Sequence, residues 1–274
     1  MPKNNTAKRI LVALVAVPLI IAVCLLGNEF FMTFTLGIGL LAFYEFYSFT
    51  QNKKFYPNLF IGLASVGAII LNNYYGFIEF QNLSIIIVFL LLLIELFRNK
   101  SSAIANTGAS LLGIFYIGLF SASILALREL YSEFTTIYIN GGYIIISLLI
   151  TLWVCDSAAF FLGIKFGKNK LFPRVSPKKS WEGAIAGFVF SIIAMLILNY
   201  TILDFIHWSK ALILGLIIGI IGQMGDLVES LFKRDANIKD SSALIPGHGG
   251  VLDRFDSLLF TAPVVYLYFY YFVK

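Results

Sequence analysis

The chain has 274 residues, of which 59% are hydrophobic and 13% are charged, and its net charge is +5. Soluble domains are about half apolar and about a quarter charged, so this composition excludes an ordinary soluble domain and predicts a protein of the lipid bilayer. The basic excess does not call for a nucleic-acid partner, because membrane topology and attraction to anionic headgroups explain it.

Long apolar runs recur along the whole chain, and a membrane-spanning helix needs about 20 mostly apolar residues. The sequence predicts an all-α polytopic membrane protein with about nine transmembrane helices, of which the third and fourth are short or interrupted: 10–27, 30–49, 59–75, 83–97, 108–127, 142–163, 184–200, 211–232 and 255–273. Residues 1–140 are expected to form a scaffold of about five spans that faces lipid and an oligomer partner. Residues 141–274 are expected to form a catalytic region of about four spans, with cytoplasmic loops 165–183 and 233–254.

The basic residues provide an independent test of this topology, because lysine and arginine collect in cytoplasmic loops. If the N-terminus is cytoplasmic, all but three of the 20 lysines and arginines fall in cytoplasmic segments, and the exceptions are Arg128, Lys210 and Lys274. A miscounted span would spoil this alternation. The distribution therefore favours nine spans with the N-terminus in the cytoplasm.

Acidic residues occur in or beside three of the last four spans, although a charge at mid-helix costs about 2.5–3.5 kcal/mol on insertion scales. Asp156 lies toward the cytoplasmic end of the sixth span. Asp226 and Glu229 lie in the last two turns of the eighth, and Asp253 and Asp256 lead into the ninth. Their common depth predicts a shared site. The alternative, in which the acids of the eighth span only neutralise its basic end, does not require acids on three segments.

The end of the eighth span has one strongly polar face. Asp226, Glu229, Ser230 and Lys233 are spaced i, i+3, i+4 and i+7, which places two acids, a hydroxyl and a cation on one side of a helix. Upstream glycines have the spacing that lets a neighbouring helix approach closely: Gly215, Gly219 and Gly222. Glu45 and Glu95 also lie near cytoplasmic helix ends, but without clustered partners, so we expect both to be interfacial residues.

The loop 165–183 ends in SPKKSWEG, directly before the seventh span. Ser180 and Gly183 are expected to cap that helix, whose N-terminal amides favour an anion. Lys178 and Lys179 beside this helix start are typical of a phosphate cradle. An ordinary positive-inside loop would contain the same two lysines, so that alternative stays open.

The loop that leads into the ninth span combines glycine with charge. Gly247, Gly249 and Gly250 can adopt backbone angles closed to other residues, which favours a nest of amides around an anion. Asp253 and Asp256 are spaced i, i+3 and can hold a hard cation such as Mg²⁺. Cations of the same loop add positive charge: Lys233, Arg234, Lys239 and Arg254. Carboxylates for metal, cations for phosphate and glycines for close approach together indicate phosphoryl-group chemistry.

Residues 230–256 closely resemble the signature of the phosphatidate cytidylyltransferases, also called CDP-diacylglycerol synthases: SLFKRDANIKDSSALIPGHGGVLDRFD. Residues 156–163 (DSAAFFLG) and the SPKKSWEG block are also similar to this family, with Ser180 where threonine is more familiar. The resemblance covers roughly the last 120 residues. It does not extend to the first five spans, which match only in being hydrophobic.

The resemblance implies an inner-membrane enzyme of bacterial type, acting from the cytoplasmic side as a homodimer, that joins CTP to phosphatidic acid and releases pyrophosphate. It also implies one or two Mg²⁺ ions, held by Asp226, Asp253 and Asp256. Together with Lys233, these acids are the expected catalytic residues. His248 is expected to contact phosphate rather than accept a proton. The expected substrate-binding residues are Asp156, Lys178, Lys179, Ser180, Glu229, Ser230, Arg234, Lys239, His248, Gly249, Gly250 and Arg254.

Two other functions stay open. One is a different CTP-using lipid transferase or kinase, acting on a polyprenol or an archaeal ether lipid. The other is a transporter with a cationic cytoplasmic mouth. The transporter is disfavoured, because carriers bind substrate near the bilayer midplane, where these spans have no charged group.

Overall fold

The computed structural model of the protein describes residues 4–245 and 249–273. Ten α-helices account for most of these residues: α1 (Asn4–Leu26), α2 (Asn28–Thr50), α3 (Leu59–Tyr75), α4 (Phe80–Phe97), α5 (Ala103–Gly113), α6 (Phe120–Arg128), α7 (Ile139–Phe166), α8 (Trp181–Thr201), α9 (Trp208–Asp235) and α10 (Leu252–Tyr268). A 3₁₀ turn follows α2 at Gln51–Lys53, and π-helical turns occupy Ile114–Leu119 and Phe269–Val273.

The predicted spans all coincide with helices, and the fifth consists of α5, a π-helical turn and α6. Within the described ranges, seven helices are long and apolar enough to cross a membrane. The remaining two apolar helices, Val12–Leu26 and Leu59–Tyr75, are shorter. The prediction of an all-α polytopic membrane protein is therefore confirmed.

The loop before α8 contains a small antiparallel hairpin of β1 (Lys170–Phe172) and β2 (Ser176–Ser180). Lys170 pairs with Ser180, and Phe172 pairs with Ser176. The sequence predicted only a loop here, because strands of three and five residues are too short to show a period-2 pattern. The hairpin gives the two lysines of β2 a fixed backbone.

The helices form two compact units, which divide the chain differently from the expected break at residue 140. The first unit contains the described chain up to Val23, Asn28–Ala126 and Lys233–Phe255. The second contains Cys24–Gly27, Leu127–Phe232 and the chain from Asp256 onward. The loop 233–254, expected to belong with the C-terminal spans, thus packs with the N-terminal helices.

The core of the first unit is built around α2, α3 and the π-helical turn. Phe43 and Phe46 on α2 are almost completely buried. A Cβ at Gly62 of α3 would overlap the ring of Phe43, and one at Gly113 would lie 2.8 Å from the ring of Phe46. The two glycines therefore let α3 and α5 approach the phenylalanine face of α2.

In the second unit, α8 packs closely against both α7 and α9. A Cβ at Gly183 would lie 2.6 Å from the carbonyl oxygen of Ala159 on α7. A Cβ at Gly215 on α9 would lie 2.8 Å from the Cα of Ile192, and one at Gly219 would collide with the hydroxyl oxygen of Ser191. The close helix approach predicted from the glycine spacing on α9 is confirmed.

Candidate active site

Three carboxylates come together where α9 and α10 meet. Asp226 and Glu229 on α9 and Asp256 on α10 each place one oxygen within 4.8 Å of the other two. Glu229 is fully buried, and Asp256 is 8% exposed. We call these three residues the acid cluster. Carboxylate oxygens are the ligands that hard divalent cations prefer.

Gly225 has no side chain, and this lets α9 and α10 approach each other closely at the acid cluster. A Cβ on Gly225 would lie 2.6 Å from the Cβ of Phe260 and 3.0 Å from the carbonyl oxygen of Asp256. Any larger residue would have to push α10 away from α9. The carboxylate of Asp256 is further fixed by the backbone amide of Ser257, which donates to Oδ1 at 2.6 Å.

Asp226 contacts a cation and a hydroxyl through separate oxygens. The ammonium group of Lys179 lies 2.6 Å from Oδ2. The hydroxyl of Ser230 donates to Oδ1 at 3.3 Å. The structure therefore brings together two residues that the sequence assigned to different tasks, a metal ligand and a substrate-binding lysine.

The hairpin places Lys179 beside the acid cluster. Ser180, at the end of β2, accepts a hydrogen bond from the amide of Gly183 and thereby caps α8, which confirms its predicted capping role. Glu182 accepts hydrogen bonds from the backbone and side-chain amides of Asn169, which fixes the base of the hairpin. These contacts anchor the hairpin, and the backbone position of Lys179 is fixed with it.

Asp156 on α7 is within electrostatic range of Asp226 and Lys179. Of the acids expected to share a site, those of the sixth and eighth spans and Asp256 belong to the second unit, whereas Asp253 belongs to the first. Asp156 adds negative charge beside the acid cluster.

A second polar group lies in the first unit around Asp253. Its Oδ1 accepts from the ammonium of Lys233 at 2.6 Å. Its Oδ2 accepts from the amide and hydroxyl of Ser241, at 2.9 and 3.0 Å, and from the amide of Gly250 at 2.8 Å. Asp253 thus closes the loop between α9 and α10, and the metal-ligand role expected for it stays a prediction.

The remaining predicted residues have simple environments. Gly249 has a φ of +84°, as the glycine-rich turn predicted. Arg234 donates to the carbonyl of Ile238 at 2.8 Å. The side chains of three predicted substrate-binding cations are exposed: Lys178, Lys239 and Arg254. His248 lies outside the described residues, together with Pro246 and Gly247.

Glu45 and Glu95 were both expected at the interface without clustered partners, and this prediction is wrong for both. The side chain of Glu95 is 7% exposed and accepts from the side-chain amide of Asn106 at 2.8 Å. Glu45 is 2% exposed. Its Oε1 accepts from the hydroxyl of Ser242 and the amide of Val251, at 2.7 and 2.8 Å. Its Oε2 accepts from the hydroxyl of Ser241 and the amide of Leu252, both at 2.8 Å. An acid in an otherwise apolar helix was the available signal, since such a group is rarely buried without partners.

Comparison with known proteins shows the family to which the chain belongs. The model of the cytidylyltransferase family matches residues 7–272, so the likeness extends well beyond the last 120 residues. The chain is 33% identical to the phosphatidate cytidylyltransferase of Haemophilus influenzae, over 97% of this chain and 99% of that protein. It is 31% identical to the Bacillus subtilis protein of the same name and 32% identical to that of Staphylococcus aureus, over 94% of this chain and 96% of each relative. The chain belongs to the cytidylyltransferase family.

Proposed function

We propose that the protein transfers the cytidylyl group of CTP to phosphatidate and forms CDP-diacylglycerol and pyrophosphate. The family and the names of the relatives support the reaction class and the substrates. The observation that carries the proposal is the acid cluster, with a lysine of the hairpin bound to one of its members. Such a site is suited to the phosphates that meet in this reaction.

The acid cluster fits a magnesium ion. Octahedral Mg²⁺ holds oxygens at about 2.0–2.1 Å, so its ligands lie about 3–4 Å apart. The three carboxylates offer oxygens within 4.8 Å of one another, which small side-chain rotations bring into that range. Bound there, the metal would neutralise the crowded phosphates and orient them. A second ion and a ligand role for Asp253 remain predictions from the sequence, and metal binding by Asp253→Asn tests the latter.

The reaction itself needs little proton chemistry from the protein. An oxygen of the lipid phosphate forms a bond to the α-phosphorus of CTP, while the bond from that phosphorus to the bridging oxygen breaks and pyrophosphate leaves with the electron pair. A phosphomonoester has its second pKa near about 6, so the lipid phosphate is largely ionised at neutral pH. A general base is therefore not required, and the protein contributes chiefly position and charge.

Lys178 and Lys179 on β2 are proposed to bind substrate phosphate, because they belong to the same unit as the acid cluster. Lys179 would then exchange Asp226 for a phosphate oxygen. Phosphate contacts by the loop residues remain proposals from the sequence: Lys233, Arg234, Lys239, His248, Gly249, Gly250 and Arg254.

The site is proposed to face the cytoplasm of a bacterial-type inner membrane, since CTP is cytosolic and phosphatidate enters from the bilayer. Assembly as a homodimer, which the family resemblance implies, belongs to the same proposal. Crosslinking in native membranes tests the dimer directly.

A lipid panel tests the activity. Purified protein in mixed micelles is given labelled CTP and Mg²⁺ with phosphatidate, an archaeal ether-lipid phosphate or a polyprenol, one acceptor at a time. We expect a labelled CDP-lipid and pyrophosphate with phosphatidate and far less product with the other acceptors. Faster reaction with another acceptor, or no product with any of them, would contradict the proposal.

A further inference from the structure

The loop between α9 and α10 lies between two contacts to α2 and to the 3₁₀ turn that follows it. Just before its start, Lys53 of the 3₁₀ turn forms a 3.1 Å ion pair with Asp235, the last residue of α9. At its other end, the amides of Val251 and Leu252 donate to Glu45. These contacts join residues about 180 to 207 positions apart in the sequence. Helix α2 and the 3₁₀ turn after it therefore contact both ends of the loop.

Glu45 uses both of its oxygens fully. Each oxygen accepts one serine hydroxyl and one backbone amide. A hydroxyl can rotate to donate or accept, but a backbone amide only donates. A neutral amide side chain in this place would set its own N–H group against the amide of Val251 or Leu252, whichever way it turned. The site therefore requires a carboxylate.

The loop connects Glu45 to Asp253 through shared partners. The hydroxyl of Ser241 lies 2.8 Å from Glu45 and 3.0 Å from Asp253, so its single proton is shared between the two carboxylates. A Cβ at Gly250 would collide with both the Ser241 hydroxyl and Glu45, so this position accepts only glycine without a shift. Asp253 in turn binds the ammonium of Lys233. A change at Glu45 thus reaches Lys233 through one continuous chain of hydrogen bonds.

We propose that Glu45 is a positioning residue for cytidylyl transfer, acting by fixing the loop and, through Ser241 and Asp253, the ammonium of Lys233. This inference rests on the proposed function for its kinetic consequence. Its structural part, the ordering of the loop by Glu45, is independent of the reaction. Glu45 itself is not placed in contact with substrate.

The chain offers a matched control in Glu95. It also lies near the end of a helix, its side chain is 7% exposed, and it accepts a hydrogen bond from the side-chain amide of Asn106 at 2.8 Å. Both glutamates belong to the first unit, but the described side-chain partners of Glu95 are Arg98, in the connection after α4, and Asn106 on α5. E45Q changes a glutamate that contacts the loop, whereas E95Q makes the same chemical change at a glutamate whose described partners lie elsewhere.

Kinetics of the two variants in mixed micelles give the first test. We expect E45Q to lower kcat and kcat/KM for CTP together by about 10- to 100-fold, the range typical when a hydrogen-bond partner that orients site residues is lost. E95Q should stay close to wild type, with both variants melting at similar temperatures. S241A removes one hydrogen bond of the same chain and should lower kcat less than E45Q. The double variant E45Q/S241A should have the kcat of E45Q, because both changes interrupt the same hydrogen-bonded connection to Lys233. An E45Q enzyme with wild-type kcat, or losses that simply add, would overturn the inference.

A second readout needs no turnover. A spin label is placed at the exposed Ala243 in a protein whose Cys24 and Cys155 are replaced by alanine. We expect E45Q to raise the mobility of the label and E95Q to leave it unchanged. Unchanged mobility in E45Q would overturn the inference even if the enzyme is active. If the wild type makes no CDP-lipid, the proposed function fails, and the label alone still decides whether Glu45 orders the loop.

Discussion

Lys179 and Asp226 form the contact that joins the hairpin to the acid cluster, at 2.6 Å. A divalent ion that binds Asp226 has to compete with this ammonium group. We expect Lys179→Gln to tighten Mn²⁺ binding by up to about fivefold, since a partly exposed ion pair contributes about 1 kcal/mol or less. The concentration of free Mn²⁺, measured by electron paramagnetic resonance without nucleotide, checks this. Lys178→Gln, on the same strand, serves as the control, and weaker binding in the Lys179 variant would exclude the competition.

Asp226 and Asp253 were both expected to bind metal, but their surroundings differ. Asp226 is a member of the acid cluster, whereas Asp253 binds Lys233, Ser241 and Gly250. We expect Asp226→Asn to weaken Mn²⁺ binding at least about 100-fold, more than the loss usual for an outer-shell partner. Asp253→Asn should abolish turnover yet bind Mn²⁺ nearly as wild type does. If the Mn²⁺ affinity of both variants falls equally, Asp253 is a metal ligand, and binding of the metal breaks its contact with Lys233.

At the scale of elements, the acid cluster depends on how closely α10 approaches α9. We expect Gly225→Ala to weaken Mn²⁺ binding and lower activity, because the new methyl group would meet Phe260 and the backbone of α10. Gly37→Ala on α2 is the matched control, since a Cβ there meets nothing within 4 Å and alanine favours the helix by about 1 kcal/mol. Metal titration and thermal unfolding of both variants in detergent decide the matter. Equal metal affinity in the two variants would show that Gly225 is not needed for the close approach.

The helices were predictable from the sequence because each span is a long apolar run bounded by charge or glycine. The close packing along α9 was predictable for a similar reason, since glycines at regular spacing mark one face of a helix. The hairpin was not, because its strands are too short for a periodic signal. Glu45 was misjudged because its partners lie 196 to 207 positions away, and no local pattern reports such contacts.

The candidate site shows the same limit. Asp226, Glu229 and Asp256 were all selected, because acids at one depth on several spans are unusual. The different partners of Asp253 and Asp256 could not be predicted, because their spacing on α10 fits a metal ligand equally well at both positions. Only the three-dimensional partners separate Asp256, a member of the acid cluster, from Asp253, which binds Lys233.

For the whole molecule, the charge distribution predicts which side of the membrane each loop faces. In a protein without Cys24 and Cys155, we expect a cysteine at Ala243 to resist impermeant thiol reagents in intact cells and to react in inverted vesicles. Thr136, between α6 and α7, is exposed and is predicted to lie on the opposite side, so a cysteine there should give the reverse pattern. Labelling of Ala243→Cys from outside the cell would invert the topology.

The fate of the CTP phosphates tests the central claim, transfer of a cytidylyl group to phosphatidate, most directly. The protein is incubated with phosphatidate, Mg²⁺ and CTP labelled at either the α- or the γ-phosphorus, and the lipid fraction is counted. We expect the α-label in the lipid product and the γ-label in released pyrophosphate, with Asp226→Asn inactive in both cases. The γ-label in the lipid would mean phosphoryl transfer by a kinase, and label in neither lipid nor pyrophosphate would mean that CTP is not the substrate.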